Sequence, residues 1–238
     1  MSAAQTWGKL ASTLAVAGAA VAVLLLVSAG PGTRWGWWHF RTGLGFLRWA
    51  AYASIAGAAI AVLALLLGGA RGRAAVALVV ALVALTGPLL FSRKVKTVPM
   101  IHDISTDTDD PPAFVAVLSR RAGAANPPEY DGAEVAAKQR AAYPDIQPIR
   151  LDDAPARAFE RALAAARTMD WEIVASEPAE GRIEATATTR WFGFKDDIAI
   201  RVRPEGQGSR VDVRSKSRVG RSDLGANAAR IRAFRQKL

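Results

Sequence analysis

GRIEATATTRWFGFKDDIAIRVRPEGQGSRVDVRSKSRVGRSDLGANAARI, residues 181 to 231, decides the fold of the water-soluble half of this chain. Ile183, Ala185 and Ala187 alternate with Arg182, Glu184, Thr186 and Thr188. Ile198, Ile200 and Val202 alternate with Arg201 and Arg203, and Val211 and Val213 with Asp212, Arg214 and Lys216. Period two with one apolar face specifies antiparallel strands covered on one side. Gly206 to Ser209 reads as the hairpin turn between the second and third runs. Ser222 or Asp223 is placed to cap a final helix, whose Leu224, Ile231, Phe234 and Leu238 form an apolar seam.

Working upstream, Ile149 to Leu151 is short and extended. Asp152 or Asp153 is expected to cap a helix with Pro155 in its first turn, and Phe159, Ala162, Leu163 and Ala166 give that helix one apolar face. Trp171 to Ala175 reads as a strand that turns at Glu177-Pro178. The expected fold class is α+β, a two-layer domain over 149–238 with helices on one face of a four- or five-stranded antiparallel sheet.

Residues 99–148 read as an irregular acidic arm. Within IHDISTDTDDPPAF (101–114), His102, Asp103, Asp107, Asp109 and Asp110 are candidates for a hard-cation site, with His102, Asp107, Asp109 and Asp110 as the possible metal ligands. The calcium-loop spacing is not met, because the mid-loop glycine and closing glutamate are missing. The preferred reading is an Asx-rich turn ahead of Pro111-Pro112, in which Asp and Thr side chains bond nearby amides. A short helix is expected around Glu134 to Tyr143, ended by Pro144.

Residues 1–98 form a transmembrane region, a bundle of three apolar helices at about 10–30, 49–68 and 74–91, each long enough to cross a bilayer. A cleaved signal peptide is the competing reading of the first, but its apolar run is long for one and Lys9 is its only cation. Between the first two lies RWGWWHFRTGLGFLRW, where Trp35, Trp37, Trp38, Phe40, Phe46 and Trp49 alternate with Arg34, Arg41 and Arg48, a composition suited to the headgroup layer. His39 reads as an interfacial side chain. Ala53, Gly57 and Ala61 recur at spacing four and make a smooth face for helix packing. No ionisable residue lies deep in a crossing, which argues against an ion or proton path.

The net charge of +10 suggests nucleic acid until it is divided. Nine of the 31 basic residues and none of the 21 acids lie in 1–98, which leaves 22 bases against 21 acids beyond. The basicity flanks apolar segments, so no nucleic-acid partner is expected. The absence of Cys excludes disulfides and thiolate chemistry.

IHDISTDTDDPPAF at 101–114, FGFKDDIAIRV at 192–202 and SRVGRSDLGANAARI at 217–231 resemble, in order, a bacterial and plastid family called domain of unknown function 1499. The resemblance covers about 99–238. It carries over no assigned catalytic residues. It implies a multi-pass protein of the bacterial inner (cell) membrane with the soluble domain on the periplasmic side. The positive-inside rule points the other way. Lys9, Arg71 and Arg73 face one side, and Arg34, Arg41, Arg48, Arg93, Lys94 and Lys96 the other. The family reading is preferred.

Two functions are carried forward. The first is a membrane-anchored binding or assembly module, using a basic sheet face of Arg182, Arg201, Arg203, Arg214, Lys216 and Arg218 toward anionic lipid or an acidic partner. That face has two other readings, a plain solvated surface or a surface covered by the acidic arm. Asp223, Asn227 and Arg230, at the final helix start, are further binding candidates, with cap and surface roles as the alternative. The second function is a metal-assisted membrane-bound enzyme using His102 and Asp107–Asp110. Asp196 and Asp197, beside Lys195, point to opposite sheet faces and do not make an acid–base pair. Whether the chain is an enzyme is left open. No cofactor is expected, and the expected partners are the lipid bilayer and a membrane protein or a second copy of the chain.

Overall fold

The last strand of the quoted stretch organises the sheet, because three of the other five strands pair directly with it. A computed structural model describes residues 2 to 238. It divides into two compact units: residues up to Lys96 together with Arg190–Gly193, and Thr97–Thr189 with Phe194–Leu238.

The first unit contains α1 (Ala3–Arg34), α2 (Phe40–Leu67) and α3 (Arg71–Thr97), each long and apolar enough to cross a membrane. The first two start beyond the apolar runs, at capped ends. Ser2 Oγ accepts the Gln5 amide at 3.3 Å while the Gln5 side chain accepts the Ser2 amide at 3.2 Å, satisfying donors that a helix start leaves orphaned. His39, expected only to sit at the interface, caps α2 by accepting the Arg41 amide at Nδ1, 3.3 Å away. Packing runs through small residues. Ala11, Ala64 and Ala74 form one three-helix contact and Ala15, Ala61 and Ala77 the next. Gly18 and Gly57 bring α1 and α2 so close that a Cβ on Gly18 would lie 3.2 Å from the Gly57 Cα. Such packing is how helices associate where apolar burial offers no advantage over lipid.

The second unit is built on a six-stranded antiparallel sheet: β1 (Asp103–Ser105), β2 (Ile149–Leu151), β3 (Glu172–Glu177), β4 (Arg182–Thr188), β5 (Lys195–Glu205) and β6 (Gly208–Ser217). The order is β1-β6-β5-β4-β3, with β2 also on β6. Asp103 pairs with Lys216 and Ile149 with Val211, so β1 and β2 lie end to end along one edge of β6. The sheet is therefore five columns wide. Two-residue turning at Gly206, whose φ is +60°, joins β5 to β6.

Helices α5 (Pro155–Arg167) and α6 (Ala226–Arg235) cover one face. Phe159 and Leu163 of α5 and Ile231 and Phe234 of α6 pack on Ile183, Ile198, Ile200, Val211 and Val213, and Trp171 stacks on Phe234 with centroids 5.7 Å apart. At about 25 cal/mol per Å² of apolar surface, this face supplies most of the hydrophobic stabilisation of the unit. The expected caps differ. Neither Asp152 nor Asp153 caps α5; Ala154 does so without a side-chain bond, and Asp153 instead pairs with Arg157 and Arg161 one and two turns on. Gly225 occupies the cap of α6 in a left-handed conformation, and Asp223, two residues ahead, takes the orphan amides of Gly225 and Asn227 at 2.8 and 2.7 Å.

The opposite face is not open. The arm carries β1, then a 3-10 turn (Ala116–Arg121), then α4 (Ala133–Ala142). Phe114 and Val117 pack on Ala199 of the sheet, with Val174 reaching them past a bulge in β3. The bulge explains the contact, since one extra residue re-aims a side chain. At the free edge of β1, Gln139 of α4 acts as a strand surrogate. Its side-chain oxygen accepts the Ser105 amide at 2.9 Å and its nitrogen donates to the Ser105 carbonyl at 2.6 Å, so the edge offers no template for pairing.

Candidate functional site

The side chains opposite the apolar core are those the alternation predicts, namely Arg182, Glu184, Thr186, Asp197, Arg201, Arg203, Arg210, Asp212, Arg214, Lys216 and Arg218. Their setting is a layer of ion pairs between sheet and arm. A guanidinium or carboxylate taken from water costs several kcal/mol unless it is paired and hydrogen-bonded. Here the pairing is dense.

At the β1 end, Arg214 binds Asp103 through two parallel bonds of 2.9 and 2.8 Å, and its cation lies 4.6 Å from the Phe114 ring centroid. Lys216, fully buried, reaches Asp103 at 3.2 Å, Asp131 at 2.7 Å and the Glu129 carbonyl at 2.5 Å. Beside them, burial and the Asp103 charge push the Tyr130 hydroxyl up to about 12, against the opposing pull of Arg214. His102 Nε2 stands 3.2 Å from Asp131 but out of line for a hydrogen bond.

At the centre, Asp197 holds Arg218 through both oxygens, Arg121 of the 3-10 turn at 2.6 Å and Thr186 at 2.7 Å. Burial alone would raise the Asp197 carboxyl. The bonds from Arg218 and Thr186, with the Arg218 and Arg121 charges, outweigh it and hold the group below its usual value. Glu184, also fully buried, receives the amides of Val115, Ala116 and Val117 at 3.0, 2.9 and 3.0 Å, and Arg182 as well. One sheet carboxylate thus seats the start of the 3-10 turn.

At the β2 end, three guanidinium groups converge on one oxygen of Asp107. Arg201 lies 3.4 Å and Arg203 3.1 Å from Oδ2, and Arg210 closer still. The same three arginines contact Asp212 beneath. Asp107 Oδ1 accepts the Asp109 and Asp110 amides at 3.2 and 3.0 Å, the Asx turn expected before Pro111. Desolvation works to raise this carboxyl, but the two amides and Arg210 and Arg201 prevail and lower it.

The expected basic face lies under the arm, one of the readings weighed for it. Arg214 and Lys216 show 3% and 0% of their side chains, whereas Arg201, Arg203 and Arg210 show 23%, 37% and 20%. The accessible cations are therefore at one end only. Arg218 is bound into Asp197. Asp223 and Arg230 lie on the helix side of the sheet. Arg230 pairs with Asp196 at 2.7 Å and bonds Ser215 at 2.9 Å, beside Asn227. Burial raises the Asp223 carboxyl, with the nearby Asp196 charge adding to it, although two amides and Arg230 oppose this.

The residues weighed as weak metal candidates have other partners: His102 faces Asp131, Asp107 is bound by arginines, and Asp109 is exposed beside Arg140. Among the described residues no three His, Asp or Glu side chains gather as a cation would require. Sequence reasoning missed Arg121 and Arg210 as members of the layer and read Asp103 only as a possible cation ligand. Glu184 and Asp212, acids inside cationic strands, fall on the face where the alternation puts them.

A profile of the family described as protein of unknown function (DUF1499) matches residues 103–238. No curated protein and no solved structure matches the chain.

Proposed function

We propose that this chain, which belongs to the DUF1499 family of proteins of unknown function, is a membrane-anchored binding or assembly module that engages an anionic group through Arg201, Arg203 and Arg210. The observation that carries the reading is the convergence of three partly exposed guanidinium groups on one Asp107 oxygen. Planar, permanently charged forks suit carboxylate or phosphate recognition, and Asp107 marks where such a group sits. An incoming anion competes with Asp107, so occupancy is coupled to the seating of the arm. The ligand is an anionic lipid headgroup or an acidic segment of a protein.

The three crossings support a multi-pass protein of the bacterial inner membrane. The family resemblance favours a periplasmic soluble unit, against the excess of six flanking cations over three on the side from which it emerges. A reporter fusion at Leu238 decides: activity of a periplasm-dependent reporter supports this placement, and activity of a cytoplasm-dependent one overturns it.

For the binding role, R201E/R203E is compared with the native chain in pull-down from detergent and in flotation with anionic vesicles. Loss of a recovered partner or of vesicle binding supports the reading. Unchanged recovery in both overturns it.

A further inference from the structure

Helix α3 is flanked by two grooves of similar size and different chemistry. The groove shared with α1, 450 Å³, is walled by Val23, Leu26, Val27, Val79, Val80 and Val83, with no charged residue. The groove shared with α2, 420 Å³, has an equally apolar floor of Leu44, Leu47, Pro88 and Phe91, but its lining includes Arg48, Lys96 and Ser92. Both volumes fall within the roughly 300–1,000 Å³ of small-ligand sites.

The cations sit at a defined depth. The stretch of α2 from Arg48 to Leu67 is about 28 Å long at 1.5 Å per residue, close to the roughly 30 Å thickness of the hydrocarbon layer. Arg48 therefore lies at its border, where exposed Trp49 and Tyr52, in edge contact at 5.7 Å, form the aromatic belt typical of that level. Lys96 reaches the same border from the far end of α3. No acid lies in residues 1–98 to neutralise either cation. Among the described residues neither side chain makes a hydrogen bond or ion pair, unlike the arginines of the sheet, which are matched by carboxylates.

We infer that the groove between α2 and α3 is a binding site for one anionic glycerophospholipid, with an acyl chain along Leu44, Leu47 and Phe91 and the headgroup phosphate between Arg48, Lys96 and the Ser92 hydroxyl. Charge complementarity selects this occupant. A zwitterionic lipid brings its own cation to a site already carrying two, and a second apolar helix leaves both cations unmatched. The purely apolar groove beside α1 takes chains of any lipid. The inference goes beyond the sheet-face reading but rests on the helices lying in a bilayer.

The test is native mass spectrometry of the full chain in mild detergent, with equal amounts of phosphatidylglycerol and phosphatidylcholine of matched chains. Each cation beside an anionic headgroup is worth about a factor of five, so two give a preference of about twenty-five-fold. R48Q/K96Q is expected to bring the preference close to parity, while R71Q/R73Q at the opposite helix ends leaves it intact. Ala51→Phe, which fills the groove without changing charge, is expected to reduce retention of phosphatidylglycerol. Glycerol phosphate, which has the charge without the chains, is expected not to compete. Equal retention of both lipids by the native chain, or native preference in R48Q/K96Q, overturns the site. Competition by glycerol phosphate overturns it in favour of a simple anion site. Carbonate extraction of cells separates the premises: a chain released from membranes removes the bilayer reading itself, whereas a retained chain with no preference removes only the lipid site.

Discussion

The buried Glu184 carboxylate accepts the backbone amide of Ala116 at 2.9 Å across 68 residues of sequence, and the amides on either side of Ala116 bond to the same group. A sheet side chain therefore performs the service usually rendered by a residue just ahead of the turn it caps. The arm is tied to the sheet by charge at four places, at Glu184, at Asp197, at Asp103 and at Asp107. Each tie can be cut separately.

Glu184→Ala orphans three amides and leaves Arg182 with only Glu180. Breaking a buried charged contact by removing one partner costs about 3–5 kcal/mol, and the arm is expected to become protease-sensitive between Asp107 and Asp131. Glu184→Gln retains an acceptor and loses less. Digestion kinetics and thermal melting of the detergent-solubilised chain measure both. Native protease resistance in the alanine variant would show that Phe114 and Val117 hold the arm without the carboxylate.

The Asp103–Arg214 pair is expected to show strong coupling. Either single change, D103L or R214M, strands a charge and costs about 3–5 kcal/mol, while the double change costs less than the two together. A double-mutant cycle in urea reads the difference. Additive losses would mean that Lys216 and the Phe114 ring already compensate each partner.

Acid is expected to release the β2 end of the arm. Asp107 and Asp197 have folded values below the ordinary 3.8. Their stabilisation is fully present above that value and is lost as pH falls through the lower folded value. Asp223 has the opposite sign, because its raised value favours the folded state more at low pH than at high pH. Protease accessibility of the arm, followed downward from pH 5, is expected to rise below about pH 4. Asp107→Asn is expected to weaken the arm at neutral pH and flatten its acid response. An unchanged profile would remove Asp107 from the linkage.

Gly18→Leu and Gly57→Leu are expected to separate α1 from α2, because a Cβ at Gly57 would already lie 3.3 Å from the Ala19 nitrogen. Cross-linking between cysteines introduced at Ala15 and Ala61, which share a buried contact, measures the separation. A cost of about 1–3 kcal/mol is typical of overpacking. Undiminished cross-linking in both variants would argue that the seam tolerates bulk.

The apolar half of the sheet was legible because Ile183, Ile198, Ile200, Val211 and Val213 fall at the apolar positions of a period of two, and all five are buried. The three crossings were legible from length and composition alone. The covered face was harder to read, because Arg214 and Lys216 look the same in sequence whether they meet water or Asp103. Their burial depends on a three-residue strand, Asp103–Ser105, too short to carry a period. The caps shifted for a local reason. Leu224 and Gly225 both take positive φ, at 54° and 79°, so Asp223 reaches the helix amides from two residues further back than a cap ordinarily stands.

Among the described residues strand β1 has its only sheet partner in β6, more than a hundred residues later, and Glu184, Asp197, Arg214 and Lys216 all follow the arm they hold. During synthesis, therefore, β1 has no strand to pair with until β6 has been made. Contacts this distant in sequence form late and slowly. The second unit closes only after its last strand has been made, and until then its many acids and bases stay hydrated. The face that carries Arg201, Arg203 and Arg210 is therefore complete only once the chain has been made through β6.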